Sequence, residues 1–167
     1  SAVHAPLALW ALGYPARSAA RAEQALVLAR GLGEPFSVSY ACHLVAGLGQ
    51  WRRHKAAMQA LEEEGLPHDT EHGFGLLLAA GLVQRGWVLA QQGQGDAAPD
   101  QMRQGVAKHR EIGATLLVPH SLVMVAEAYD MLGRPAERLA ARTEGLAVAR
   151  QCGRHYWEAE LHRLMGA

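Results

Sequence analysis

Two histidines four residues apart have the spacing best suited to metal chemistry. His68 and His72 enclose the carboxylates of Asp69 and Glu71. On an unbroken helix, positions i and i+4 place both imidazoles on one face, where they could hold one metal ion. The segment lacks the His-Glu-x-x-His order of a common zinc motif, it follows Pro67, and the sequence offers no third ligand. We therefore expect a solvated helix end and no metal.

A serine, a histidine and an aspartate in one segment have the composition of a nucleophilic site. Ser121 follows His120 directly, and Asp130 lies nine positions further on. Neighbouring residues on a helix point about 100° apart, which does not suit a hydrogen-bonded nucleophile and base. We expect no catalytic residue in this segment.

A second group of acids and bases lies near the C-terminus, comprising Tyr156, Trp157, Glu158, Glu160 and His162. On a helix, Trp157, Leu161 and Leu164 share one face at positions i, i+4 and i+7. That spacing is typical of a helix that buries its apolar face. Core packing is therefore the preferred interpretation, with no catalytic site and no cofactor.

All of these segments belong to a repeat of 40 residues. One column of the repeat contains Gly13, Arg53, Gly93 and Gly133, and another contains Gly33, Gly73, Gly113 and Gly153. Glycine accepts the left-handed conformation that ends a helix, so each unit is expected to hold two helices. The sequence predicts helices over 7–12, 16–32, 76–92, 121–132 and 136–152.

Helix pairs of this kind bury a core only by stacking on their neighbours, which predicts an all-α solenoid. We expect one repeat domain over residues 1–167, with units 1–33, 34–73, 74–113 and 114–153 and a capping helix over 154–167. Since the chain begins and ends within expected helices, we expect it to be a fragment of a larger protein.

A column of small residues predicts close packing between helices; it holds Ala25, Gly65, Gly105 and Gly145. Glycine inside a helix costs roughly 0.5–1 kcal/mol relative to alanine, so its recurrence at one register indicates close approach of neighbouring helices. The next column is apolar throughout and should lie in the core, with Leu26, Leu66, Val106 and Leu146.

The second unit departs from the pattern. Arg53 replaces the turn glycine, and Pro67 falls within the second helix. An interior proline removes a backbone hydrogen bond and costs about 3 kcal/mol. We therefore expect a kink or an early end near Pro67, although Gly73 keeps its column and allows the helix to resume.

Composition excludes several classes of protein. The 16 basic and 16 acidic residues cancel, which argues against a nucleic-acid or membrane-surface partner. Cys42 and Cys152 are too few for a secreted disulfide framework, and no apolar run is long enough to span a bilayer. A cytoplasmic location is expected.

The turn columns carry a known signature. The patterns Leu9-x-x-Leu12-Gly13-x-x-Ala16 and Tyr129-x-x-Leu132-Gly133-x-x-Ala136 resemble the first helix of tetratricopeptide repeats. The resemblance implies a right-handed superhelix of antiparallel helix pairs. The period departs from the usual value of about 34 residues, and the aromatic residue expected later in the second helix is missing.

Longer strings resemble the C-terminal repeat region of large bacterial proteins that join a class III adenylate or guanylate cyclase, or a DNA-binding output domain, to a signal-transducing ATPase. The strings are 9–15 (LWALGYP), 85–94 (RGWVLAQQGQ), 126–129 (AEAY) and 156–164 (YWEAELHRL). The chain itself contains no phosphate-binding loop of the Walker type. The resemblance therefore implies a noncatalytic, regulatory part of such a protein.

The resemblance also implies a groove, lined by the first helix of each unit, that accepts a peptide or a partner helix. The groove positions are Tyr40, His43, Gln50, His54, Trp87, Gln94, His120, Glu127, Asp130 and Arg134. Trp87 suits a core position as well as a binding anchor.

We expect a protein-interaction or regulatory scaffold module of a bacterial signalling protein. Its partner would be a protein or peptide, including other domains of the same polypeptide, and a homodimer is compatible with this reading. The alternative is a small-molecule effector-sensing domain that controls an upstream ATPase or cyclase. An independent enzyme is the least favoured interpretation.

Overall fold

Every regular element in the structure, a computed structural model, is helical. It describes residues 4–52, 54–94, 97–153, 158 and 161–162. The helices are α1 (Ala5–Ala11), α2 (Pro15–Leu32), α3 (Pro35–Trp51), α4 (Lys55–His72), α5 (Gly75–Gln91), α6 (Ala98–Glu111), a short 3-10 helix (Thr115–Leu117), α7 (Val118–Met131) and α8 (Pro135–Gln151). The predicted helix bounds agree with the observed ones within three residues, which confirms an all-α protein with two helices in each 40-residue repeat.

Left-handed glycines end the helices where the repeat predicts it. Gly33 ends α2 with a φ of 66°, and Gly73 ends α4 with a φ of 68°. The other five glycines of the two columns also have positive φ. Residues with a side chain rarely adopt this backbone conformation, so the spacing of these glycines determines where the chain turns.

Six of the seven prolines lie at the first or second position of a helix, where the missing N–H costs little. The seventh, Pro67, lies inside α4, which nevertheless continues to His72. Of the two predicted outcomes, a kink or an early end, the early end is wrong, and α4 continues up to Gly73 as the glycine column allowed. Pro67 and Glu63 are both exposed, so water can hydrogen-bond to the Glu63 carbonyl, which has no helical N–H partner.

The chain divides into two compact units, each larger than one 40-residue repeat: the first unit is Ser1–Gly81 and the second unit is Leu82–Ala167. The boundary lies inside α5. In the first unit, buried Val38, Cys42, Ala46 and Leu61 form a core cluster, against which Leu26 and Val45 pack. In the second unit, Val123, Leu146 and Leu161 form another.

The column of small residues lies at close helix contacts, as predicted. All four members are buried. A Cβ on Gly65 would lie 3.2 Å from His43 Nε2, and one on Gly145 would lie 3.1 Å from Leu161 Cδ1. In the apolar column beside it, Val106 and Leu146 are buried, whereas Leu26 and Leu66 are half-buried.

One ion pair recurs in both units between the second helices of consecutive pairs. Arg30 Nη2 lies 2.5 Å from Glu64 Oε2, and Arg110 Nη2 lies 2.6 Å from Glu144 Oε1. Each pair joins residues 34 positions apart. The same columns of the repeat therefore make the same contact within each unit.

The predicted capping helix over 154–167 falls mostly outside the described residues, as do Arg53, Tyr156 and Trp157. Leu161 is fully buried against Gly145. Among the helices that the structure describes, none combines the length and the apolar character needed to cross a membrane.

Candidate functional site

Six rings of the first unit form a continuous series of contacts, which we call the aromatic strip: His4, Tyr40, Phe36, Phe74, His72 and His68. Their centroids are 5.9 Å apart for His4 and Tyr40, 5.7 Å for Tyr40 and Phe36, and 5.2 Å for Phe36 and Phe74. His72 lies 5.5 Å from Phe74 and 6.4 Å from His68. These separations are those of interacting aromatic pairs.

Helix ends hold the aromatic strip in place. Phe36 and Tyr40 lie in the first turns of α3, where Pro35 begins the helix. Phe74 lies in the turn between α4 and α5, and its backbone N–H donates to the Asp69 carbonyl oxygen at 3.0 Å. The left-handed Gly73 makes this turn, so Phe74 reaches the edge of Phe36 with its backbone fixed.

Much of the aromatic strip faces solvent. Phe36 is 48% exposed, His4 and His72 are exposed, and Tyr40 is half-buried with its Oη 3.0 Å from His4 Nε2. Exposed aromatic rings offer apolar contact area with few rotatable bonds, which favours binding of apolar or cationic side chains. The surface is suited to recognition.

The histidines of the aromatic strip do not share a ligand set with Asp69. The rings of His68 and His72 lie nearly parallel, whereas Asp69 is fully buried. Within the described ranges, no group of three or more His, Cys, Asp or Glu side chains is placed to hold a metal ion. The His68–His72 segment thus contains a buried carboxylate, Asp69, a half-buried imidazole, His68, and an exposed imidazole, His72.

A second cluster lies in the core of the same unit, and we call it the buried quartet: Ser39, His43, Glu62 and Asp69. His43 Nδ1 donates to Glu62 Oε1 at 3.0 Å, and Nε2 donates to Asp69 Oδ2 at 2.5 Å. Ser39 Oγ donates to Asp69 Oδ1. All four side chains are buried, with His43 only 3% exposed.

The two carboxylates keep His43 charged. Burial alone would lower its pKa, but the hydrogen bonds to Asp69 and Glu62 and their negative charges raise the pKa of His43 to about 9. The imidazole is therefore protonated at neutral pH and donates from both nitrogens. Its two hydrogen bonds join α3 to α4.

The repeat shows that these polar side chains are not demanded by the fold. Val83 and Val123 occupy the column of His43, and Ala79 occupies that of Ser39. Met102 takes the column of Glu62, and Ala149 takes that of Asp69. Buried Arg142 and His109 also fall in the columns of Glu62 and Asp69, but a full set of four polar side chains occurs in the α3–α4 pair alone among the described helix pairs.

Four of the residues assigned to the groove lie in the first unit. Tyr40 belongs to the aromatic strip, whereas His43 belongs to the buried quartet. Gln50 is buried near the end of α3, and His54 is exposed immediately before α4. Of these four, the structure brings Tyr40 alone into the aromatic strip.

Trp87 and Glu127 meet in the second unit, although they are 40 positions apart and share one column of the repeat. Trp87 Nε1 donates to Glu127 Oε2 at 2.9 Å. The indole is 0% exposed, while Glu127 is half-buried. The sequence allowed Trp87 to be a core residue or a binding anchor. Within the second unit it is a core residue.

The remaining assigned residues lie at separate places in the second unit. Gln94 is exposed in the turn after α5. Asp130 pairs with Arg138 at 2.5 Å, and Arg134 pairs with Glu137 at 2.7 Å. His120 is half-buried, and burial together with the charge of His109 lowers its pKa to about 4.

Ser121, considered above with His120 and Asp130 as a nucleophilic site, contacts His109 and not His120. Ser121 Oγ lies 3.2 Å from His109 Nδ1, and both side chains are buried. Asp130 is exposed on another side of α7 with Arg138. No triad of His120, Ser121 and Asp130 is therefore assembled.

Phe36, Phe74 and His4 were missed by the sequence reasoning. A signal was present, because Phe36, Leu76 and Leu116 occupy one column, at or just before the start of α3, α5 and α7, and all three are exposed. Large apolar residues that recur at an exposed register indicate a surface that contacts something else.

Comparison with known proteins adds no identity to these observations: no protein-family model matches the chain, and a search of curated proteins gives no match.

Proposed function

We propose that the chain is a noncatalytic, tetratricopeptide-like interaction module that binds a peptide or helix of a partner protein through the aromatic strip. The observation that carries the proposal is the unbroken series of ring contacts across the starts of α3 and α5, with Phe36 half in solvent. The resemblance of the repeat supports a role as regulatory scaffold in a cytoplasmic bacterial signalling protein.

Preorganisation supports binding at the aromatic strip. Tyr40 is held by His4, Phe36 by Tyr40 and Phe74, and Phe74 by the turn that follows α4. Because the rings already contact each other, a partner pays little side-chain entropy to order them. Truncation of such a ring typically costs more than about 2 kcal/mol of binding free energy when the ring is a hot spot.

The chemistry of the strip indicates the partner. Phe36, Tyr40 and Phe74 offer apolar faces. His4 places polar nitrogens at one end of the strip, and His72 and His68 place them at the other. A segment with two or three apolar or aromatic side chains, flanked by polar groups, would complement this arrangement. A tetratricopeptide-like stacking of the helix pairs would present the strip along the line of first helices.

Selection from a library of random displayed peptides tests the proposal. Peptides selected on the wild-type chain should carry apolar or aromatic side chains. Phe36→Ala should weaken their binding by roughly tenfold or more, while the thermal unfolding midpoint changes little because the ring is half-exposed. Fluorescence anisotropy with a labelled selected peptide gives the affinity.

Leu139→Ala is the matched control, because Leu139 is an exposed apolar residue of α8 in the second unit. It should leave peptide affinity unchanged. Selection of no peptide, or equal affinity for the wild-type chain and Phe36→Ala, would overturn the proposal.

A further inference from the structure

Acidic side chains predominate in the two stretches of chain that form most of the aromatic strip. No lysine or arginine occurs between residues 31 and 51 or between residues 56 and 84. The same stretches contain six carboxylates, which are Glu34, Glu62, Glu63, Glu64, Asp69 and Glu71. Since the whole chain has a formal net charge of zero, the excess of negative charge is a local property of the strip's surroundings.

Three of the six carboxylates already contact a cation. Glu62 and Asp69 accept hydrogen bonds from the His43 imidazolium in the buried quartet. Glu64 binds Arg30 through both of its oxygens, at 2.8 Å from Nε and 2.5 Å from Nη2. Both cations are therefore paired with carboxylates outside the aromatic strip.

Two other carboxylates, Glu34 and Glu71, flank the aromatic strip and are exposed. Glu34 lies two residues before Phe36, and Glu71 directly precedes His72, whose ring is 5.5 Å from that of Phe74. In the part of the chain that the structure describes, no lysine or arginine forms an ion pair with either carboxylate. The strip is thus bordered by two uncompensated negative charges.

Helix stability gives little reason for these two carboxylates. Glu71 lies in the last turn of α4, where the helix dipole disfavours a negative charge. Glu34 is the N-cap residue of α3, but its side chain makes no capping hydrogen bond. The column of Glu34 contains Phe74 and Ala114 in later repeats, so the turn itself does not demand a carboxylate. Exposed charges beside exposed rings fit a role in recognition.

Two basic residues of the first unit lie at the far end of the α3–α4 pair. Arg52 follows the last residue of α3, and Lys55 begins α4. Because α3 has 17 residues, its two ends are about 25 Å apart. The Debye length is about 8 Å at physiological ionic strength, so these cations do not offset Glu34 and Glu71 at the other end.

We infer that the aromatic strip selects basic partner segments, in which lysine or arginine side chains adjoin the apolar anchors. This partner chemistry rests on the proposed function and makes it specific. The cations would pair with Glu34 and Glu71 at the border of the strip, and they can also lie over the exposed ring of Phe36. Like charges across an interface are unfavourable, so acidic segments are excluded.

Parallel selection from a library of random displayed peptides tests the inference. The library is selected once on the wild-type chain and once on the double variant Glu34→Gln, Glu71→Gln. Peptides from both selections should carry apolar or aromatic anchors, because the rings are unchanged. On the wild-type chain, lysine and arginine should be enriched about twofold or more over the unselected library, because the border charges favour cations. On the double variant this enrichment should be absent.

Fluorescence anisotropy with a labelled peptide from the wild-type selection measures each contribution. Glu34→Gln and Glu71→Gln should each weaken binding roughly two- to fivefold, as expected for an exposed ion pair. The same peptide with glutamine in place of each lysine and arginine should bind more weakly. Its affinity should also change less between about 0.05 and 0.5 M NaCl. Glu23→Gln is the matched control, since Glu23 is an exposed carboxylate in the middle of α2, and it should have no effect.

The outcomes separate this inference from the proposed function. Peptides that carry apolar anchors without an excess of lysine or arginine, when selected on the wild-type chain, would overturn the inference alone. Equal affinity of a selected peptide for the wild-type chain and the double variant would do the same. Selection of no peptide would overturn the proposed function and, with it, this partner chemistry.

Discussion

His43 and Asp69 form a buried hydrogen bond of 2.5 Å between Nε2 and Oδ2 that joins the middle of α3 to the last turns of α4. Since Glu62 accepts from the other imidazole nitrogen, the protein keeps a positive charge in its core at neutral pH. The stability of the first unit therefore depends on the protonation of one side chain.

Alkaline pH should destabilise the first unit. The pKa of His43 is raised from 6.5 to about 9 on folding, so its contribution is fully present below pH 6.5 and is lost as the pH rises through 9. The shift corresponds to roughly 3 kcal/mol. Urea unfolding followed by circular dichroism between pH 6 and 10 measures this loss.

Replacement of the buried quartet should remove that dependence. His43→Val alone leaves two buried carboxylates without their cation and should cost about 3–5 kcal/mol. The combined variant carries Ser39→Ala, His43→Val, Glu62→Met and Asp69→Ala. Each new residue occurs at the same column in another 40-residue repeat. It should restore stability or raise it. Unchanged alkaline loss in the combined variant would contradict the assignment to His43.

Gly81→Ala should destabilise the protein by about 1–3 kcal/mol. The added Cβ would lie 2.5 Å from Leu66 Cδ2 and 2.7 Å from His43 Cε1, so the quartet would have to shift. Gly31→Ala is the matched control, because Gly31 lies in α2 with nothing within 4 Å of an added Cβ. It should be neutral or stabilise by roughly 0.5–1 kcal/mol. Thermal unfolding of both variants decides the sign.

Trp87→Phe should lower the stability of the second unit by about 1–3 kcal/mol, because a fully buried indole and its hydrogen bond to Glu127 are lost. Near-ultraviolet circular dichroism and the urea midpoint measure the change. Leu139→Phe, at an exposed position of α8, should leave both unchanged. A Trp87→Phe variant of wild-type stability would show that the indole is not a core residue.

The two cysteines should react at very different rates. Burial and the neighbouring Glu64 carboxylate raise the pKa of the Cys42 thiol to about 12, and its side chain is fully buried, whereas Cys152 is half-buried. A disulfide reagent at pH 8 should therefore modify one thiol quickly and the second only after unfolding in urea. Cys152→Ser should leave no fast-reacting thiol; a fast reaction in that variant would show that Cys42 is accessible.

The helix ends could be predicted because their chemistry is local. A helix that ends in a left-handed residue selects glycine at that one position, so the spacing of Gly33, Gly73 and the other column members was sufficient. The sequence could not decide whether α4 ends at Pro67, because the cost of an interior proline depends on exposure. Exposure is decided by the packing of α4 and not by the residues beside the proline.

The buried quartet could not be predicted in the same way. Its members come from two helices, and their contacts depend on how α3 and α4 pair in register. Their polar character where Val83, Met102 and Ala149 occupy the equivalent columns was the available signal. The aromatic strip likewise depends on the turn that brings Phe74 to Phe36, a contact between residues far apart in sequence.

The buried quartet also makes the pairing of α3 with α4 chemically different from other helix pairings. Helices in a repeat are similar enough to exchange partners, and α3 packed against α6 would place His43 beside Met102 in place of Glu62. The imidazolium would then lack both carboxylates, because His109 takes the column of Asp69. Glu62 and Asp69 would remain in α4 without their cation, at a cost of several kcal/mol. Such a pairing would therefore be less stable than the α3–α4 pair, in which both carboxylates contact the imidazolium.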